Sequence, residues 1–221
     1  MKARRVVLLA RQNPLDDSAE PYLWSDEELL DYADEAQEEA ARRARLFLDS
    51  TTSAITTLTL VNGTAVYALD SRVIRVERAR VVGQELPLRL MLTRTLDTSF
   101  ANWEASIDPV CALVPDWETN KVRFVGIPQA AGTVNLQVIR RPITPLVNMD
   151  QDLEIADHHA RNLIHWIAHR AFMKRDSETF NSEKSEMHLG RFEAEFGAAQ
   201  PAYDEAWITR NYTVDPENGY F

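Results

Sequence analysis

Between residues 25 and 48 apolar side chains recur at helical spacing, and from about residue 54 the period shortens to that of strands. Leu29, Ala33, Ala36, Ala40, Ala44 and Phe47 form one stripe, widened by Leu30 and Leu48. Asp31, Glu35, Glu38, Arg42 and Arg45 fall opposite. Ser25 offers an N-cap oxygen and Glu28, three residues later, completes a capping box. Acidic residues lead this helix and Arg42, Arg43 and Arg45 close it, in keeping with the helix dipole. Asp49-Ser50-Thr51-Thr52-Ser53 is expected to end it.

Ile55 to Val61 is rich in threonine and β-branched residues, and the following Asn62-Gly63 predicts a hairpin with Thr64 to Leu69 as the returning strand. Val73 to Val82, Val110 to Val114, Lys121 to Val125 and Thr133 to Arg140 supply further strands. Turns are expected at Asp116–Asn120 and Pro128–Gly132. Leu92 to Ala105, with Trp103, reads as a short helix or irregular segment. After Pro142 and Pro145 the helical period returns. Ile155 to Met173 places Ala156, Ala160, Leu163, Ile164, Ile167 and Ala171 on one face. A second helix, about Glu178 to Phe196, aligns Ser185, Leu189, Phe192 and Phe196, with Gly197 at its C′ position. Pro201 opens a last short helix through Trp207, and the tail after Arg210 is expected to be extended.

The resulting expectation is an α+β fold: a helical bundle formed by N- and C-terminal helices, with an inserted, mainly antiparallel β-sheet module. Residues 1–53 make an N-terminal arm and the first helix, 54–141 the β module, 142–210 the completing helices and 211–221 the tail.

Composition narrows the functional classes. The 221 residues are 45% hydrophobic and 26% charged, and 24 Lys and Arg against 34 Asp and Glu leave a formal charge of −10. Such a chain has no general attraction for nucleic acid. The apolar start Val6-Val7-Leu8-Leu9-Ala10 stops at Arg11, too short for a signal peptide, and no stretch is long enough to span a membrane. A soluble protein made in the cytoplasm is expected. The single Cys111 excludes an intrachain disulfide and, within Val110-Cys111-Ala112-Leu113-Val114, is expected to be a buried structural thiol.

Little in the chain resembles catalytic machinery. There is neither a glycine-rich phosphate loop nor a Gly-x-Ser-x-Gly elbow. The best enzymatic candidate is the set His158, His159, His165 and His169. On one continuous helix, His158, His165 and His169 share a sector opposite the apolar stripe, and His165 with His169 could chelate a metal. Trp166 stands where the zincin motif needs its glutamate, so a polar, solvent- or subunit-facing stripe is the simpler reading. No catalytic, cofactor or metal residues are assigned. The basic run Arg72, Arg75, Arg78 and Arg80 is interrupted by Glu77 and reads as a salt-bridged strand face. Tyr212, Tyr220 and Phe221, on the polar tail, are candidate partner-binding anchors.

The order and texture of the chain resemble the head-tail adaptor (connector) proteins of tailed bacteriophages. Leu8-Leu9 … Leu15-Asp16-Asp17 leading into Trp24-Ser25-Asp26-Glu27-Glu28-Leu29-Leu30 is similar to the way such proteins enter their first helix. Asn62-Gly63-Thr64-Ala65-Val66-Tyr67-Ala68-Leu69 looks like their glycine-to-tyrosine strand. Asp152-Leu153-Glu154-Ile155 … His158-His159-Ala160 … Leu163-Ile164 … Ala168 … Ala171-Phe172, with Asp176 and Phe192 … Phe196-Gly197, is similar to their C-terminal helical pair. The acidic first helix and the histidine stripe depart from that pattern.

The resemblance implies a non-enzymatic virion protein, a homo-oligomeric ring of about twelve copies beneath the portal protein. Tail or further neck proteins would dock on it, genome DNA would pass through without sequence-specific binding, and no membrane or cofactor would be involved. The other readings are a tail-completion or tail tube ring protein, and a metal-dependent hydrolase using the His158/His165/His169 face.

Overall fold

The computed structural model describes residues 1–107 and 109–199, without the side chain of Asp116. Helix α1 (Ala3–Ala10) continues into a wider π turn over Arg11–Leu15, and α2 (Asp26–Ala44) follows. Strand β1 (Phe47–Asp49) and the helical turn α3 (Ser53–Thr56) lead to β2 (Thr57–Leu60), β3 (Val66–Ala68), β4 (Val73–Val81) and β5 (Arg89–Leu90). Next come α4 (Thr93–Ser99), a 3-10 turn (Trp103–Ala105), β6 (Ala112–Glu118), β7 (Lys121–Val125) and β8 (Gly132–Arg140). Helices α5 (Asp157–Ala160), α6 (Leu163–Met173) and α7 (Ser182–Phe196) close the described chain. The architecture is α+β, with a β module inserted between helices. Two compact units result: Met1–Phe47 with Arg141–Ala199, and Leu48–Arg140.

In the helical unit one apolar core joins four helices. Val6 and Ala10 of α1, Leu29 and Ala36 of α2, Leu163 and Ile167 of α6, and Phe192 and Phe196 of α7 are all buried in it. Each fully buried Leu, Ile or Phe contributes about 1.5–3 kcal/mol. The capping box is complete: Glu28 N–H donates to Ser25 Oγ at 3.1 Å and Ser25 N–H to Glu28 Oε2 at 3.0 Å. Two buried polar side chains pin the connections. Gln37 Oε1 accepts the N–H groups of Glu154 and Ile155 at 2.7 and 3.2 Å. Arg11 binds Asp17, the Trp24 carbonyl (2.7 Å) and Asp26 (2.8 Å), folding residues 16–25 over the end of α1.

In the β module the long β8 is the spine of one sheet. It takes β2 and β4 antiparallel, with β1 also beside it. The second sheet runs β3-β7-β6-β5, antiparallel except for the parallel β5–β6 pair. A bridge between Ala79 and Leu88 joins the two. Asp49 and Arg140, both buried, meet where the chain enters and leaves, with Arg140 Nε donating to Asp49 Oδ2 at 2.6 Å. Asp49 also accepts the Thr52 hydroxyl (2.7 Å) and the Thr51 and Thr52 N–H groups (2.8 and 3.1 Å). Burial alone would raise this carboxyl. The Thr52 hydroxyl, the Thr51 N–H and Arg140 together hold it well below the usual carboxylate range.

Several expectations are corrected. Asn62-Gly63 makes a turn but no hairpin, since β2 pairs with β8 and β3 with β7. Gly63 has φ +76 while Asn62 is not left-handed, so the type I′ turn that would return the strand is absent, and Gly63 N–H donates instead to Pro128 O at 2.8 Å. The first helix stops earlier than its stripe. Arg45 turns left-handed at φ 52, so Phe47 packs on the core from a strand and Leu48 is exposed. The segment from Ile155 begins with two non-helical residues, Ile155 and Ala156, and is broken between α5 and α6 by i→i+3 turns at Asn162 and His165. Ile55 and Thr56, expected to start a strand, lie in the helical turn α3. Cys111 is exposed, because it precedes β6 in a loop instead of lying within the strand. Helix α1 had been visible only as an apolar run.

Candidate functional site

The break between α5 and α6 decides the fate of the histidine stripe. His158 stays exposed on α5, its ring 4.1 Å from that of His159, and His159 Nδ1 meets Glu195 Oε1 at 3.0 Å. His165 and His169, one turn apart on α6, are half-buried against α7. The three imidazoles that one straight helix would have aligned are therefore not brought together. The partner that sequence reasoning missed is His188 of α7, buried and four residues before Phe192. Its helical spacing from Phe192 was the available signal.

His165 Nδ1 lies 3.2 Å from His188 Nδ1, with the rings stacked at 5.3 Å. A single proton can occupy that line, so one ring donates and the other accepts. One turn along, His169 Nδ1 lies 2.9 Å from Ser185 Oγ and 3.2 Å from Ser185 O. Ser185 Oγ–H donates to His169 O at 3.1 Å, so His169 is assigned as the Nδ1–H tautomer. Burial depresses all three imidazoles. For His188 the neighbouring His165 and Arg191 add to that effect, and its value falls to about 4; His165 is lowered by burial and then by Arg191. Neutral rings with their Nδ1 atoms committed between two helices make an interhelical clasp. Among the described residues no group of three or more His, Cys, Asp or Glu is placed to hold a metal ion.

The polar faces of the helical unit are ordered by ion pairs. Lys174 Nζ reaches Glu28 at 2.6 Å, Arg170 reaches Glu35 at 2.9 Å and Arg141 reaches Glu38 at 3.4 Å. Arg43 binds Glu39 at 2.9 Å with its guanidinium 5.0 Å from the Trp166 ring. Three arginines of the basic run in the β module are held locally: Arg72 by Asp70, Arg75 by Glu77, and Arg80, whose Nε donates to Gln84 O at 3.1 Å. The register shift between Val76 and Arg78 sets Arg75, Arg78 and Arg80 opposite Ile139, Gln137 and Asn135, alternate residues of β8, so the three arginines of β4 share one face. Tyr212, Tyr220 and Phe221 lie outside the described residues.

A helical bundle that carries an inserted, mainly antiparallel β module defines an α+β protein. A family model described as SU10 adaptor protein matches residues 3–214. The chain belongs to that family, one of phage head-tail adaptors, and its role is structural. No curated protein matches the chain. Among the described residues no helix is long and apolar enough to cross a membrane.

Proposed function

We propose that the chain is a head-tail adaptor that assembles as a ring of about twelve copies beneath the portal protein, extends the DNA channel and carries the tail. The observation that carries this reading is the family match, which takes in both the helical unit and the β module. A closed ring needs two different faces of each subunit to meet, and ion-paired helical faces such as Glu28–Lys174 and Arg170–Glu35 suit ordered heterologous contact. Each copy brings a formal charge of −10, which would repel the genome and let it slide past without sequence-specific binding. Tyr212, Tyr220 and Phe221 are proposed to grip a neighbouring subunit or the portal.

The test is to mix purified chain with portal rings and image them by electron microscopy. Added density of about twelve subunits on one portal face is expected. Rings that form only within tails, with portal left bare, would favour a tail-completion or tail tube protein instead. A channel wall dominated by Arg and Lys would reject the sliding mechanism.

A further inference from the structure

The charge of the chain is unevenly divided. Residues 48–140 hold nine Lys and Arg against nine Asp and Glu, so the whole formal excess of −10 lies outside the β module. Within the module three bases are gathered on one side, since Arg75, Arg78 and Arg80 share a face of β4. Gln137 and Asn135 continue that face across β8, and register carries it on to Thr57 of β2. Arg75 is taken by Glu77, while Arg78, Arg80 and Asn135 are exposed. Among the described residues Arg78 makes no ion pair. The part of the face built from Arg78, Arg80, Asn135 and Thr57 thus presents two cations and no carboxylate.

The helical unit carries the opposite pattern. Residues 26–39 of α2 include eight Asp and Glu and no base. Glu27, Asp31, Asp34 and Glu38 recur at i, i+4, i+7 and i+11, which sets them in one stripe along the helix. Glu38 meets Arg141, whereas Glu27 and Asp31 are exposed and, among the described residues, make no ion pair. The crowding is felt at Asp34. Burial raises its carboxyl, and the Glu38 and Asp31 charges raise it further, against the Leu146 N–H.

We infer that the arginine face of one copy docks on the acidic stripe of the next, an inference that rests on the adaptor reading and names the two faces its ring needs. Arg78 and Arg80 stand about 7 Å apart along their strand. Glu27 and Asp31 stand about 6 Å apart along their helix, so two Arg–carboxylate pairs can form side by side. The faces lie on different parts of the chain, as a head-to-tail contact requires. Every copy carries both halves, so the contact repeats without a further component. Two exposed arginines on a chain of −10 are too few to hold nucleic acid.

The test is a charge exchange read by electron microscopy of chain mixed with portal rings. Arg78→Glu/Arg80→Glu leaves a copy acidic on both faces, and Glu27→Arg/Asp31→Arg leaves it basic on both. All four positions are exposed, so each variant should melt like the unaltered chain. Either variant alone should give complete rings at a yield lowered on the order of tenfold or more. In an equimolar mixture each variant finds its opposite in the other at every contact, and rings should return. The chain with all four changes should form them by itself. Arg78→Gln/Arg80→Gln, which should also lose rings, replaces the reversal if that variant melts early.

Complete rings from either variant alone would overturn the inference; if Arg78→Glu/Arg80→Glu then fails to retain a DNA duplex, the face belongs to phosphate. Loss of rings with no recovery in the mixture or in the fourfold exchange would overturn it too, and give the face to another protein of the particle. An unaltered chain that forms no ring on portal would remove the adaptor reading itself, and the inference with it.

Discussion

The helical unit and the β module each keep one carboxylate–guanidinium pair out of water, and the two pairs do different things. Arg11 and Asp17 are six residues apart and shape a local loop, where Arg11 also holds Asp26 and the Trp24 carbonyl. Asp49 and Arg140 are separated by 91 residues and tie together the two ends of the inserted module. The first pair is a local fold-back, the second a non-local clasp that forms only once β8 is in place. Ion-paired helical faces mark the first unit, and exposed Val61, Val82, Leu86 and Ile107 mark the loops of the second.

Removing each carboxylate tests that comparison. Asp49→Ala takes the anion from buried Arg140 and strips acceptors from two N–H groups and two threonine hydroxyls, so a loss of about 3–5 kcal/mol is expected in urea unfolding. Asp17→Ala leaves Arg11 its bonds to Asp26 and Trp24 O, and about 2–3 kcal/mol is expected by the same measurement. Equal losses would mean that the local pair is as central as the clasp.

Acid should separate the units as well. Above the ordinary histidine value near 6.5, His165, His169 and His188 are neutral both folded and unfolded. As pH falls below it, the unfolded chain takes up protons that the folded clasp refuses, so the histidine contribution to stability declines and levels off once His188 titrates near about 4. The total loss from His188 is on the order of 2–3 kcal/mol. Asp49, held well below the usual range, and Asp70, lowered to about 2 by its bonds to Arg72, keep their charge throughout this window. Hydrogen exchange at pH 5 should therefore accelerate in α6 and α7 before β4 and β8. His188→Leu should flatten the decline, and an unchanged pH profile would remove the clasp from the account.

The smallest expected effect is at helix α2. Ser25→Ala removes one half of the capping box and should cost about 1 kcal/mol in thermal or urea unfolding. Glu28 keeps its ion pair with Lys174, so a larger loss would show that the cap also organises the Arg11 loop.

The capping box at Ser25 and Glu28, the stripe Leu29–Ala33–Ala36–Ala40, strand β7 and the stop at Gly197 could be read from residue order because each depends on neighbours within a few positions. The exposure of Val61, Leu86 and Ile107 could not be, because it is settled by how distant strands pair. Of the histidines, the stripe on α6 was legible, while its pairing with His188 was not, because no local pattern says which helix will face it.

Residue order alone determined that this chain alternates helical, strand and again helical periods, with a net charge that disfavours nucleic acid. Tertiary structure decided that Asn62-Gly63 would divide two sheets instead of joining one hairpin, that α5 and α6 would part at Asn162, and that Cys111 would face solvent. The physical reason is the same in each case. Periodicity and capping are short-range energies, whereas strand partners, buried ion pairs and exposed surfaces are settled by which distant segment offers the missing hydrogen bond or the missing apolar face.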